Sequence, residues 1–181
     1  MRNTALTFGI TLYFIMNNRK FLTVMAVLDD ITQQKLAAMQ EHVTRVAGEG
    51  TQTMGIPFHI TLGSYPTSDE KKIVERIKII ANETSSFAVN FKGFNSFGDA
   101  VLYLEPDIPE KLTFLREQFE CDYANGFDWV PHATLFCADA ASMKKAREAI
   151  SAFDGNINAS IVALELGEFF PPRKIVREQL K

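Results

Sequence analysis

The sequence predicts a mixed α/β (α+β) chain of 181 residues that builds one plan twice. Three observations predict it. Apolar, β-branched runs alternate with amphipathic stretches of helical period, the signature of strands and helices sharing one core. The stretch "FHITLGS" (58–64) returns as "PHATLF" (131–136), each with a histidine two residues before a threonine and a leucine after it. An offset of 73 residues carries His59 onto His132, and with it Thr61 onto Thr134, Leu62 onto Leu135, and Lys71 and Lys72 onto Lys144 and Lys145. The same offset pairs Glu75 with Glu148, Ile77 with Ile150 and Phe97 with Phe170. Shared helical patterning accounts for some of these matches, but not for a His-x-Thr-Leu pair in register with its flanking helices. The chain reads as a single domain over 16–181, with repeat one at about 21–97 and repeat two at about 98–172.

The elements follow in order. Phe21 to Leu28 is an apolar, β-branched strand ended by Asp29 and Asp30, which cap the amphipathic helix "ITQQKLAAMQEHVTRV". "AGEGTQTMGIP" holds three glycines and a proline and reads as a loop delivering the chain to "FHITLGS". "TSDEKKIVERIKIIAN" opens on a Ser-Asp-Glu capping pattern and runs as a helix. "FAVNFKGF" and "AVLYLEP" are strands around the turn-prone "NSFGD". In the second half "PEKLTFLREQFECDY" is a helix with proline near its start, "PHATLF" a strand, "SMKKAREAISAF" a helix and "NASIVALEL" a strand. "PPRKIVREQLK" reads as a charged terminal surface segment.

Composition bounds the function. Apolar residues at 46% and 15 phenylalanines supply a real core. A net charge of −3 gives no global positive field to hold a long nucleic acid, so a nucleic-acid substrate has to be gripped locally and short ones are favoured. Cys121 and Cys137 sit in neither a CxxC nor a zinc-like spacing, which predicts free thiols in a reducing, cytoplasmic compartment. Residues 4–16, "TALTFGITLYFIM", are shorter than the ~20 that span a bilayer and lack a small-x-small cleavage site. Met16 offers an alternative start, so residues 1–15 read as a non-native or incidental extension, with a weak membrane anchor as the competing reading. No membrane association is expected, and a monomer is.

The chemistry rests on the paired motifs. In a strand, residues i and i+2 share a face, so His59 lies with Thr61 and His132 with Thr134, while Ile60, Leu62, Ala133 and Leu135 turn to apolar packing. A pseudo-twofold between the repeats would bring both pairs to opposite walls of one groove. Two imidazoles with ordinary pKa values near 6.5 suit a phosphodiester: one removes a proton from the attacking oxygen and the other protonates the leaving oxygen. Threonine hydroxyls can donate to the non-bridging oxygens, where charge develops. A lone histidine on a strand is more often structural; two in register change that reading. Tyr65 and Phe136 are candidates for stacking on a base, with core packing as the alternative. His42 reads as a residue of a helix surface, and no close-spaced ligand pair for zinc exists.

Two His-x-Thr strands about 70 residues apart in a duplicated α/β chain resemble the 2H phosphoesterase superfamily, in its 2'-5' RNA ligase and cyclic-nucleotide phosphodiesterase branch, over Phe21 to about Pro172. The resemblance implies a bilobal fold with two antiparallel sheets lining a central groove and helices outside. It also implies opening of 2',3'-cyclic phosphates, at an RNA end or on a small nucleotide, to 2'-phosphates without metal or other cofactor, and a 2'-5' ligase side activity. Residue by residue it makes His59 the general acid, His132 the general base, and Thr61 and Thr134 phosphate ligands. Many members follow the second motif with Ala-Arg, where this chain has Phe136 and Cys137. Two other readings stand beside it: a non-catalytic module binding RNA ends or nucleotides, and a phosphodiesterase for linear 2'-5' linkages or another small cyclic phosphate.

Overall fold

A computed structural model describes residues 20–123 and 128–181. The expected extension over 1–15 lies outside the described residues. The chain runs β1 (Phe21–Leu28), α1 (Asp30–Ala47), β2 (His59–Pro66), a 3-10 turn (Thr67–Asp69), α2 (Glu70–Glu83), β3 (Phe87–Phe97) and β4 (Val101–Pro106). It continues through α3 (Glu110–Gln118), β5 (Ala133–Cys137), α4 (Ala140–Ile150), β6 (Asn156–Phe169) and β7 (Arg173–Gln179). Among the described residues no helix is long and apolar enough to cross a membrane.

Local chemistry explains the boundaries. Asp29 caps α1, its Oδ1 accepting from Thr32 N at 2.9 Å, and Asp139 caps α4 in the same way through Ser142 N at 2.9 Å. The capping pattern expected before α2 is replaced by the 3-10 turn, and Asp69 makes no side-chain cap there. All pairings between adjacent strands are antiparallel.

The mixed α/β class holds, and the two antiparallel sheets are fused into one. Their order is β2-β1-β6-β3-β4-β5, with β7 also on β6. The fusion follows from the length of β6, 14 residues. Its first half pairs with β3 and its second half with β1 and β7, the handover falling at Ile161, which faces both Phe87 and Leu28. β7 corrects the sequence reading of a charged surface tail. Ile175 and Val176 extend along β6, and this strand covers an edge that would otherwise be open.

β1 shows how the faces divide. Leu22, Val24, Ala26 and Leu28 enter one core with residues of all four helices, including Leu36, Ile77, Leu112 and Met143. Phe21, Met25 and Val27 point the other way and pack with Ala163 and Phe169. That second face of the sheet is where the groove forms.

Candidate active site

Cross-strand partners share a sheet face, so the ladders place the motif residues. His59 lies opposite Val27 and Thr61 opposite Met25, both on the groove side of β1. Thr134 lies opposite Tyr103. His59, Thr61, His132 and Thr134 all line one cavity of about 640 Å³, as the sequence anticipated for these four.

Each ring is held by its own chain. Nδ1 of His59 lies 2.7 Å from Pro57 O, and Nδ1 of His132 lies 2.7 Å from Val130 O. A carbonyl only accepts, so Nδ1 carries the proton in both neutral rings and Nε2 keeps a bare lone pair. Both histidines therefore present the same nitrogen for proton transfer. His132 is further fixed by Phe97, edge-on at 4.9 Å, and by Tyr103 at 5.4 Å, two rings that stack on one another at 4.3 Å.

Burial lowers the His59 pKa to about 4, opposed by the Pro57 carbonyl and reinforced by the charge of His132. Burial also lowers His132, opposed by Val130 O. Unfolded, each ring takes its proton near 6.5, well above the folded value for His59. The resulting stability is fully present above pH 6.5 and is lost as the pH falls through about 4. One pKa unit is about 1.4 kcal/mol, and groove water screens the half-buried ring, so the His59 share is about 2 kcal/mol. We expect the urea midpoint to drop between pH 7 and pH 4.5, and to drop less in His59→Leu. A midpoint independent of pH across that window would contradict this electrostatic account.

Tyr65 and Phe136 are corrections to the expected site. Period-two counting puts both on the histidine face, yet neither lines the cavity. Phe136 is fully buried in the main core, and Tyr65 is 8% exposed with its hydroxyl donating to Phe119 O at 2.7 Å. The cause is one extra residue in each motif strand. Between β1 and β2 the register passes from Met25↔Thr61 to Val24↔Gly63, skipping Leu62, and between β4 and β5 it passes from Tyr103↔Thr134 to Leu102↔Phe136, skipping Leu135. A bulge reverses the alternation beyond it. Tyr65 is thereby paired with Leu22 and Phe136 with Leu102, both core residues, and Cys137 takes the groove position. Burial pushes the Cys137 thiol up to about 12. Phe136→Ala should cost about 3–5 kcal/mol by denaturant unfolding, and Tyr65→Phe about 1–2 through the unsatisfied Phe119 carbonyl. A cost under about 1 kcal/mol for Phe136→Ala would contradict the buried assignment.

Side chains satisfy the carbonyls around both bulges. Trp129 Nε1 donates to Thr61 O at 2.8 Å and Arg116 Nη1 to Leu62 O at 2.6 Å, while Gln40 Nε2 donates to Leu135 O at 2.6 Å. Arg116 is itself buried and paired with Asp122 at 2.9 Å. Sequence reading missed these three, because nothing in the strand pattern marks a bulge. It also missed the part of the loop before β2. Residues 51–58 form a wall of the cavity, tied to β5 by Thr51 N to Cys137 O at 2.7 Å and Cys137 N to Gln52 Oε1 at 3.2 Å. Phe97 and Phe170, paired by the sequence offset, both line the cavity, and among the described residues no lysine or arginine does.

Comparison with known proteins bears on this arrangement. The family model for the 2'-5' RNA ligase superfamily matches residues 27–168. Comparison with curated proteins finds no match. Solved structures give the fold. TT0787 of Thermus thermophilus aligns at a TM-score of 0.59 and 14% identity, over 88% of this chain and 97% of its own. E. coli LigT complexed with NADP+ aligns at 0.56 and 16% identity, over 90% and 98%. The same protein complexed with 3'-AMP aligns at 0.54 and 15% identity, over 90% and 98%.

Proposed function

The chain belongs to the 2'-5' RNA ligase superfamily, the 2H phosphoesterases, and from that premise we propose that it hydrolyses 2',3'-cyclic phosphates of nucleotides or RNA ends to 2'-phosphates, with His59 and His132 as acid and base. The observation that carries the reading is the matched pair of rings in one cavity, each pinned through Nδ1 with Nε2 left for proton transfer.

Water enters against phosphorus, and His132 Nε2 removes its proton as the new P–O bond forms. The bond from phosphorus to the 3' oxygen breaks, and His59 Nε2–H gives that oxygen its proton. The product is a 2'-phosphate and a free 3' hydroxyl; the two rings exchange one proton with solvent to reset. Burial that destabilises the cationic form of His59 makes it a ready proton donor once charged, and a bound phosphate anion favours charging it. Thr61 and Thr134 donate to the non-bridging oxygens. This chemistry needs no metal, and the groove's lack of lysine and arginine among the described residues suits a substrate with one phosphate. LigT, a structural neighbour, was solved with NADP+ and with 3'-AMP, which fits a nucleotide or RNA-end substrate here. We place the protein in the cytoplasm as a monomer on the same reading.

The test is hydrolysis of a 2',3'-cyclic nucleotide in excess EDTA, with the product position read by phosphorus NMR. A 2'-phosphate formed at an undiminished rate is the expected result. No turnover, turnover abolished by EDTA, or a 3'-phosphate product would overturn it, and binding without turnover would return the groove to a recognition role.

A further inference from the structure

A second cavity of about 320 Å³ adjoins the groove, and the two share Met54, Gly55, Ile56, Pro57 and Phe169 as lining. Gly55, at φ +80°, contributes no side chain where they meet. The ladders place this cavity on the histidine face. Thr61 faces Met25, Met25 faces Glu165, and Glu165 faces Arg177, one row across β2, β1, β6 and β7. At about 4.8 Å per strand, Glu165 stands roughly 10 Å from Thr61, comparable to the reach of a nucleotide from its phosphorus to the far edge of its base.

Glu165 and Arg177 are under-satisfied. Glu165 is 4% exposed, yet among the described residues its carboxylate accepts no hydrogen bond and its nearest cation is Arg177 Nη1 at 3.8 Å. Arg177 Nε is buried and has no hydrogen-bond partner among the described residues. Buried charged groups are normally hydrogen-bonded, and an ion pair this open leaves both partners short. Glu168 in the same cavity is a contrast, held by Lys20 at 2.8 Å and Arg173 at 3.1 Å.

We propose that this cavity is a base site selective for guanine, in which Glu165 accepts from N1–H and the exocyclic amine while Arg177 donates to O6. The proposal rests on the nucleotide reading of the groove. Guanine presents two parallel N–H donors beside a carbonyl acceptor, which matches a carboxylate flanked by a guanidinium. Adenine offers no N1–H, and uracil and cytosine offer one matching donor group each. The lining carries both signs, Glu165 and Glu168 with Arg173, Lys174 and Arg177, and Glu168 is already paired with Arg173, so a base offering donors beside an acceptor matches the open Glu165 and Arg177 pair. Burial raises the Glu165 pKa while Arg177 and Lys174 oppose it, as for a carboxylate awaiting a donor.

Calorimetric titration with guanosine, adenosine, cytidine and uridine 2'-monophosphates tests this without requiring turnover. Guanosine should bind about tenfold or more tightly than the others, with inosine, which lacks the exocyclic amine, in between. Glu165→Gln and Arg177→Gln should each bring guanosine to within about threefold of adenosine. Equal affinities in the wild type, or a guanosine preference untouched by both variants, would overturn the proposal. Selective binding without hydrolysis would sink the catalytic reading alone; hydrolysis of all four cyclic nucleotides with no discrimination in binding would sink this one alone. Failure of every nucleotide to bind would sink both.

Discussion

His59→Ala and His132→Ala will each lower kcat/KM for a 2',3'-cyclic nucleotide by about a hundred- to ten-thousandfold, while ligand affinity changes far less. On the proposed mechanism each ring transfers a proton at a different bond, so neither substitutes for the other. The two act as a unit, and the double variant should fall little below the worse single one. The fold should survive both changes, because among the described residues each ring's hydrogen bond is to a carbonyl at the groove wall, which water can reach once the ring is gone. Circular dichroism and the denaturant midpoint at pH 7 check that. An activated ester with a leaving group that needs no proton separates the roles. His59→Ala should recover most of its rate on such a substrate and His132→Ala should not. The reverse pattern would exchange acid and base, and equal activity of both variants with wild type would end the two-histidine mechanism.

The histidines were legible in the sequence and the aromatics were not, for one physical reason. Period-two counting holds as long as a strand keeps its ladder, and from His59 to Thr61 and His132 to Thr134 it does. The following leucine, read as an ordinary core residue, is also the extra residue of a bulge. Leu62 and Leu135 do enter the core, but the register they interrupt carries Tyr65 and Phe136 in after them. The carbonyls at the bulges are held by long-range partners, Arg116 of α3 for Leu62 in β2 and Gln40 of α1 for Leu135 in β5, 54 and 95 residues away. No local pattern contains that information. The same limit hid β7: its alternating charge looks solvated because the partial burial of Ile175 and Val176 arises only with β6 paired beside it and the core beneath. Elements whose burial is decided within one helix turn or one strand, such as α1 with its Asp29 cap, were readable almost to the residue.

Thr61→Val and Thr134→Val should each reduce kcat by about a hundredfold, the loss typical of removing one positioned donor to a developing oxyanion. Valine copies the shape of threonine and favours strands at least as well, so stability should move little. The choice separates two explanations that otherwise coincide. If these threonines are present only because β-branched residues suit a pleated surface, valine is neutral. If their hydroxyls hold the phosphoryl oxygens, valine removes that contact and nothing else. The structure favours the second. Both side chains line the cavity and are only half-buried, and neither hydroxyl makes a hydrogen bond within the protein among the described residues. A hydroxyl kept free in the cavity that the imidazoles line is available to a ligand; one serving the fold would be spent on a neighbouring carbonyl. The kinetic split adds a further check. Negative charge grows on the non-bridging oxygens toward the transition state, so the loss should appear in kcat with KM nearly unchanged. A rise confined to KM would make the threonines ground-state binders, and a change under about threefold in both parameters would reduce them to strand formers.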